Sequence, residues 1–155
     1  MMLGAEQAVA RDRLDDELRL APALGPELFG KVIDSGGTRL RALRQSGKAV
    51  RIDRLIEASA WTEAALALIE LEMPAWKLRR LAYENGEWLC SLSRQAHLPI
   101  EIDDTVEASH DALALAVLRA LVEARRRSIA APGTISAAPD VLPTSDRMIC
   151  CDNFA

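Results

Sequence analysis

Apolar and polar residues follow two rhythms along this chain, a helical period in its first half and an alternating one in its middle. Residues 5–20 carry a thin stripe of Val9, Leu14 and Leu18 among mixed charges, which predicts a helix with a broad solvated face. Pro22, Gly25 and Pro26 end it,. A short helix is expected over 26–33, then a break at Ser35-Gly36-Gly37. A further helix is expected from an N-cap at Thr38 to about Ser46, closed by Gly47,. Val50 to Ala58 places Ile52, Leu55 and Ile56 at the same period,. Thr62 is then the expected cap of a strongly apolar helix, Glu63 to Glu72. Pro74 stops that helix, because the residue before a proline is pushed out of the α region.

The rhythm changes at Trp76. From there to Ser93 the pattern is that of a β-hairpin turned at Asn85-Gly86, since both residues tolerate the positive φ of a type I′ turn. Pairing outward from the turn sets Glu84 against Glu87, Tyr83 against Trp88, Ala82 against Leu89 and Leu81 against Cys90. It continues with Arg80 against Ser91, Arg79 against Leu92 and Leu78 against Ser93. Side chains alternate between faces. One face then holds Tyr83, Trp88, Leu81, Cys90 and Leu92 and is expected to be buried. The other holds Trp76, Leu78, Ala82 and Leu89 and is apolar enough to be partly covered by a helix or a partner,.

His97 to Asp103 reads as irregular, with Pro99 excluding a central strand,. Asp104-Thr105-Val106-Glu107 has the form of a capping box,. It predicts a helix to about Arg127, apolar round most of its girth and so buried on more than one side. From Ser128 the composition shifts to Ala, Pro, Ser, Thr and Gly, and 129–155 is expected to be a disordered tail.

Composition narrows the classes. The 155 residues are 50% hydrophobic but 4% aromatic, so the core is built mainly from Leu, Ala, Ile and Val, which suits helices. A net charge of −4 argues against a whole-protein electrostatic footprint for nucleic acid. The N-terminal residues carry no secretory pattern, and no run of about 18 apolar residues exists,. The expectation is a cytoplasmic protein without a membrane span. Cys90, Cys150 and Cys151 make an odd count, which excludes neither redox chemistry nor attachment at the adjacent pair but argues against a disulfide framework.

Three groups of residues could carry chemistry. Residues 97–111 hold Glu101, Asp103, Asp104, Glu107 and Asp111, no Lys or Arg, and both histidines. On a helix Glu107 and His110 share a face, so His97, Asp103, Glu107 and His110 form a candidate metal set for a metal-dependent enzyme; the plainer reading is an acidic, capped helix start. From Thr38 to Arg54 six basic residues face Asp53 alone, and Arg39, Arg41, Arg44 and Arg51 are candidates for phosphate contact. The apolar spacing fits a helix-turn-helix poorly, and nucleic acid is not the expected partner. Trp76, Leu78 and Leu89, on the second hairpin face, are candidates for partner binding. No nucleophile stands in a recognisable catalytic context and no cofactor is expected.

An amphipathic helix, the strand pair ending in Glu87-Trp88-Leu89-Cys90-Ser91-Leu92, and the apolar helix from Ala112 to Leu121 together resemble small bacterial and phage proteins of the ABA-sandwich type. The strand Trp76-Lys77-Leu78-Arg79-Arg80-Leu81 is similar to one in small proteins of soil alphaproteobacteria. The resemblance covers about residues 50–127 and implies a fold, not an activity. The fold class expected is α+β, mostly helical, with a central β-hairpin packed between apolar helices. Residues 1–37 are expected to be an N-terminal helical segment, 38–128 the core domain and 129–155 the tail. The function expected is a non-enzymatic interaction or self-association module, its partner a protein or a second copy of the chain.

Overall fold

A computed structural model describes residues 3–99 and 101–130. Within them the chain forms six helices and a three-stranded antiparallel sheet, an α+β and mostly helical fold. The helices of the first half are α1 (Leu3–Leu20), α2 (Pro26–Asp34), α3 (Gly37–Gln45), α4 (Val50–Glu57) and α5 (Trp61–Glu72). Then come β1 (Lys77–Glu84), β2 (Glu87–Ser93), β3 (Thr105–His110) and α6 (Leu113–Ala130).

The helices start and stop largely where local chemistry directs. Pro26 opens α2 at the position where its missing N–H is harmless,. Gly47, at φ +77°, closes α3; its N–H bonds to the Arg44 carbonyl and that of Lys48 to the Leu43 carbonyl, the reciprocal pattern that satisfies the last carbonyls of a helix. Two starts fall earlier than expected. The helix assigned to a Thr38 cap begins at Gly37, and that assigned to Thr62 begins at Trp61, with Ala60 in the cap position and no side-chain cap.

The larger correction lies at residues 104–112. Thr105–His110 is a strand, not the first turns of a helix, and the helix begins at Leu113. The capping-box pattern competes here with the open edge of β2. A hairpin alone is barely stable, and a third strand satisfies the backbone groups of β2 that would otherwise face outward. Thr105-Val106-Glu107-Ala108-Ser109-His110 also alternates, with Val106 and His110 buried and Glu107 exposed. It pairs from Trp88 opposite His110 to Ser93 opposite Thr105.

Helix α6 is the centre of the molecule. It packs against β2 and β3 on one side and against α1 and α5 on the other. Leu115, Leu118 and Leu121 are fully buried along it, as its all-round apolar character requires. Leu14, Leu18, Phe29 and Val32 of α1 and α2 belong to the same core cluster as Leu68, Leu92 and Leu121. Helices α1 and α2 therefore share one core with the rest of the described residues. Beside that core lies a buried ion pair. Arg125 donates through Nε and Nη2 to the two Glu72 oxygens, both at 2.6 Å. It also donates to Ser35 Oγ at 2.7 Å and to the Val32 carbonyl at 2.9 Å. One guanidinium thus ties α6 to α5 and to the end of α2. No helix among the described residues is long and apolar enough to cross a membrane. Of the tail expected from 129, Ile129 and Ala130 are the last residues of α6; the rest of it, 131–155 with Cys150 and Cys151, lies outside the described residues.

Candidate functional site

The hairpin turns as its sequence dictates, with Asn85 at φ +54° and Gly86 at φ +87°, the two positive angles of a type I′ turn. The expected register holds from Glu84–Glu87 to Arg80–Ser91. Then it slips. Leu78 stands opposite Leu92 and Lys77 opposite Ser93, leaving Arg79 as the extra residue of a bulge,. Because side chains alternate strictly along a strand, one extra residue moves everything before it to the opposite face. Leu78 therefore joins Leu81 and Tyr83 on the α6 side of the sheet, and Trp76 follows the same parity.

Trp76 thus becomes core. It is 2% exposed, and its indole N–H donates to Ser128 Oγ of α6 at 3.2 Å. As one of the three residues expected to meet a partner, it is unavailable. The expected second apolar face shrinks to Ala82 and a half-buried Leu89 among Lys77, Arg80, Glu84 and Glu107. The opposite expectation changes too. Cys90 and Leu92 are buried beneath α6 as foreseen, but Tyr83 is 59% exposed and Leu78 43%. The cause is the strand order β1-β2-β3. Helix α6 lies on β3 and β2, so the α6-side residues of β1 project past its flank. Leu78, half-buried Leu81 and Tyr83 form this overhang, and Trp88 backs it with its ring 5.2 Å from that of Tyr83. Among the described residues no strand pairs with the far side of β1.

A polar cluster holds the bulge in place. The Asp103 carboxylate accepts from Arg79, from the Ser93 hydroxyl and from the Gln95 N–H at 3.1 Å. Arg79 also donates to the Leu98 carbonyl at 3.4 Å, so the 94–104 loop is fastened to the start of β1. Burial pushes the Asp103 carboxyl up, but the hydrogen bonds from Ser93 and Gln95 and the adjacent Arg79 charge outweigh it and hold the group below its usual range,.

The expected metal set is dispersed. His97 lies exposed in a turn, and Asp103 is occupied as described. Glu107 points away from α6 opposite Ser91, whereas His110 points toward α6 opposite Trp88. A spacing of three unites two side chains on a helix but separates them on a strand. Among the described residues no three His, Cys, Asp or Glu side chains gather as a metal would require. His110 Nδ1 accepts the Ala112 N–H at 2.9 Å, and the residue borders a polar cleft of about 450 Å3 with Arg19, Glu87, Ser109, Asp111 and Arg119. Ser109 Oγ donates to Glu87 at 2.7 Å and stands on the opposite face from His110, so the cleft pairs no nucleophile with a base.

Arg39, Arg41, Arg44 and Arg51 are all exposed on α3 and α4, with Arg44 3.7 Å from Asp53. Each helix turns its apolar side inward, Leu40 on α3 and Ile52 on α4, and so presents the arginines to solvent. Cys90 is fully buried, and desolvation pushes its thiol up to about 12, which removes it as a nucleophile. Compared with models of known families, with curated proteins and with solved structures, the chain matches none.

Proposed function

We propose that this chain is a non-enzymatic protein-interaction module whose partner adds a strand along the free edge of β1. The observation that carries the reading is the overhang: an edge strand of eight residues whose Leu78 and Tyr83 extend beyond the helix that covers the rest of that face. Strand addition to an open edge draws its affinity from backbone hydrogen bonds and its specificity from alternate side chains. Here the outward backbone groups are those of Leu81 and Tyr83, within the regular stretch 80–84,, and the alternate side chains are those of the same two residues. The dispersed acids and histidines, the inert Cys90 thiol and a polar cleft that sets no nucleophile beside a base all favour a binding role over catalysis. Trp76 leaves the set of binding residues, Leu78 stays in it, and Tyr83 takes the leading place.

Site-specific photocrosslinking in the producing cell tests this. A benzoylphenylalanine at position 83 should give protein adducts that the same group at the exposed Arg13 position on α1 does not. Equal labelling at the two positions, or none at position 83, overturns the reading.

A further inference from the structure

We infer that the strand received by β1 is β1 of a second copy, paired antiparallel about Ala82 to make one six-stranded sheet; this rests on the interaction reading above and names its partner. Three independent features of residues 80–84 meet in that register.

The first is the backbone. In an antiparallel pair, residues alternate between exchanging both hydrogen bonds with the partner and exchanging none. A two-residue turn is closed by a hydrogen-bonded pair, here Glu84–Glu87, so Ala82–Leu89 and Arg80–Ser91 are also bonded pairs,. Leu81 and Tyr83, between them, turn their N–H and C=O groups to the free side. Pairing about Ala82 sets Leu81 opposite Tyr83 of the second copy, twice by symmetry, so the outward groups meet and form four hydrogen bonds. A register shifted by one residue sets outward groups against inward ones and forms none.

The second is side-chain chemistry. The same register sets Ala82 against Ala82, where the smallest side chains meet on the axis. Leu81 opposes Tyr83 on the overhanging side, and Arg80 opposes Glu84 on the other. Residues 80–84 read basic, apolar, small, apolar, acidic, and this order is complementary to its own reverse. Within one chain Arg80 already bridges to Glu84 across Ala82, with the two side chains 54% and 47% exposed. An ion pair so exposed contributes little, and exchanging it for the equivalent pair across the axis is easy.

The third is what limits the edge. The bulge at Arg79 turns the start of β1 toward the 94–104 loop, so the regular free stretch is the one that complements itself. An interface of this form is isologous, each copy giving and receiving the same residues.

Charge exchange tests it. Wild-type protein should dimerise with concentration in analytical ultracentrifugation. Arg80→Glu alone opposes acid to acid at both ends, and Glu84→Arg alone opposes base to base; each should raise the dissociation constant by roughly ten- to hundredfold. An equimolar mixture of these two variants sets two acids of one chain against two bases of the other, and should recover a heterodimer. The double variant, Arg80→Glu with Glu84→Arg, should recover a homodimer. Circular dichroism confirms that the variants fold. A further variant, Tyr83→Pro, deletes an outward N–H, a change edge strands tolerate, together with the Tyr83 ring, and should be monomeric, whereas Tyr83→Ala, which keeps the N–H, should dimerise more strongly than it. A wild type that stays monomeric into the millimolar range, single variants that dimerise like the wild type, or a mixture that does not associate each overturns self-pairing. Adducts at position 83 to a different protein, with a monomeric wild type, overturn it and leave the interaction reading standing. Absence of any adduct overturns both.

Discussion

Replacing Arg125 by Met should destabilise the protein by about 3–5 kcal/mol, the range for stranding one member of a buried ion pair. Arg125 and Glu72 side chains are 9% and 8% exposed, and Arg125 makes four hydrogen bonds. The Val32 carbonyl keeps a second donor when Arg125 is lost, because Ser35 Oγ also donates to it at 2.7 Å. Ser35 therefore stays engaged as well. The whole deficit falls on the two Glu72 oxygens, each losing a charge-assisted bond worth about 1.5–3 kcal/mol. The sum, about 3–6 kcal/mol, agrees with the first figure and is a large part of the total stability of about 5–15 kcal/mol expected for such a domain. Urea unfolding followed by tryptophan fluorescence should show a midpoint lowered by roughly 2 M for a slope near 2 kcal/mol per molar. The decisive comparison is Glu72→Leu with Arg125→Met. With no orphaned charge left, the double variant should recover to within about 1 kcal/mol of wild type. A loss below about 1 kcal/mol for Arg125→Met alone, or a double variant as weak as the sum of its singles, would show that the Glu72 charge is not stranded by the loss of Arg125.

The same corner makes a contrast between two glycines. A Cβ on Gly36 would stand 2.7 Å from Leu40 Cδ2, 2.9 Å from Arg125 Nη2 and 3.0 Å from the Ile33 carbonyl, so Gly36→Ala should destabilise by about 1–3 kcal/mol. Gly30, within α2, has open space at the same position, and Gly30→Ala should stabilise by about 0.5–1 kcal/mol in thermal unfolding. Asp103→Asn should weaken the protein at neutral pH. Since the Asp103 carboxyl is depressed in the folded state, its contribution is full above the ordinary carboxyl value of about 3.9 and fades as pH falls through the folded value; unfolding curves of the wild type and of Asp103→Asn should therefore converge in acid, and a constant gap there contradicts the assignment. In a chain with Cys150→Ser and Cys151→Ser, the buried Cys90 thiol should react with a disulfide reagent only in denaturant, as a timed absorbance assay would record.

Much of this architecture was legible from local pattern. The Asn85-Gly86 turn, the inner pairs of the hairpin, the boundaries of α2 to α5 within a residue or two, and the all-round burial of α6 follow from dihedral preference and periodicity, which act within a few residues. Two features were decided elsewhere. The stretch from Thr105 to His110 has a helix-start pattern and an alternating one at once. The choice went to the strand because β2 offered it an unpaired edge across a loop of eleven residues, Arg94 to Asp104, which no local window weighs.

The binding surface turned on one residue. Hydrophobic alternation determined that β1 and β2 carry two unequal faces, and it placed Leu81, Tyr83 and Trp88 together correctly. It could not place Trp76 and Leu78, because Arg79 bulges to reach Asp103, twenty-four residues away, and that excursion exchanges the faces of everything before it. Nor could alternation state that Tyr83 would be exposed, since exposure depends on how far α6 reaches across the sheet. Local alternation fixes which side chains travel together. Which of those groups are covered follows from the fold, because coverage is set by contacts between segments far apart in the chain.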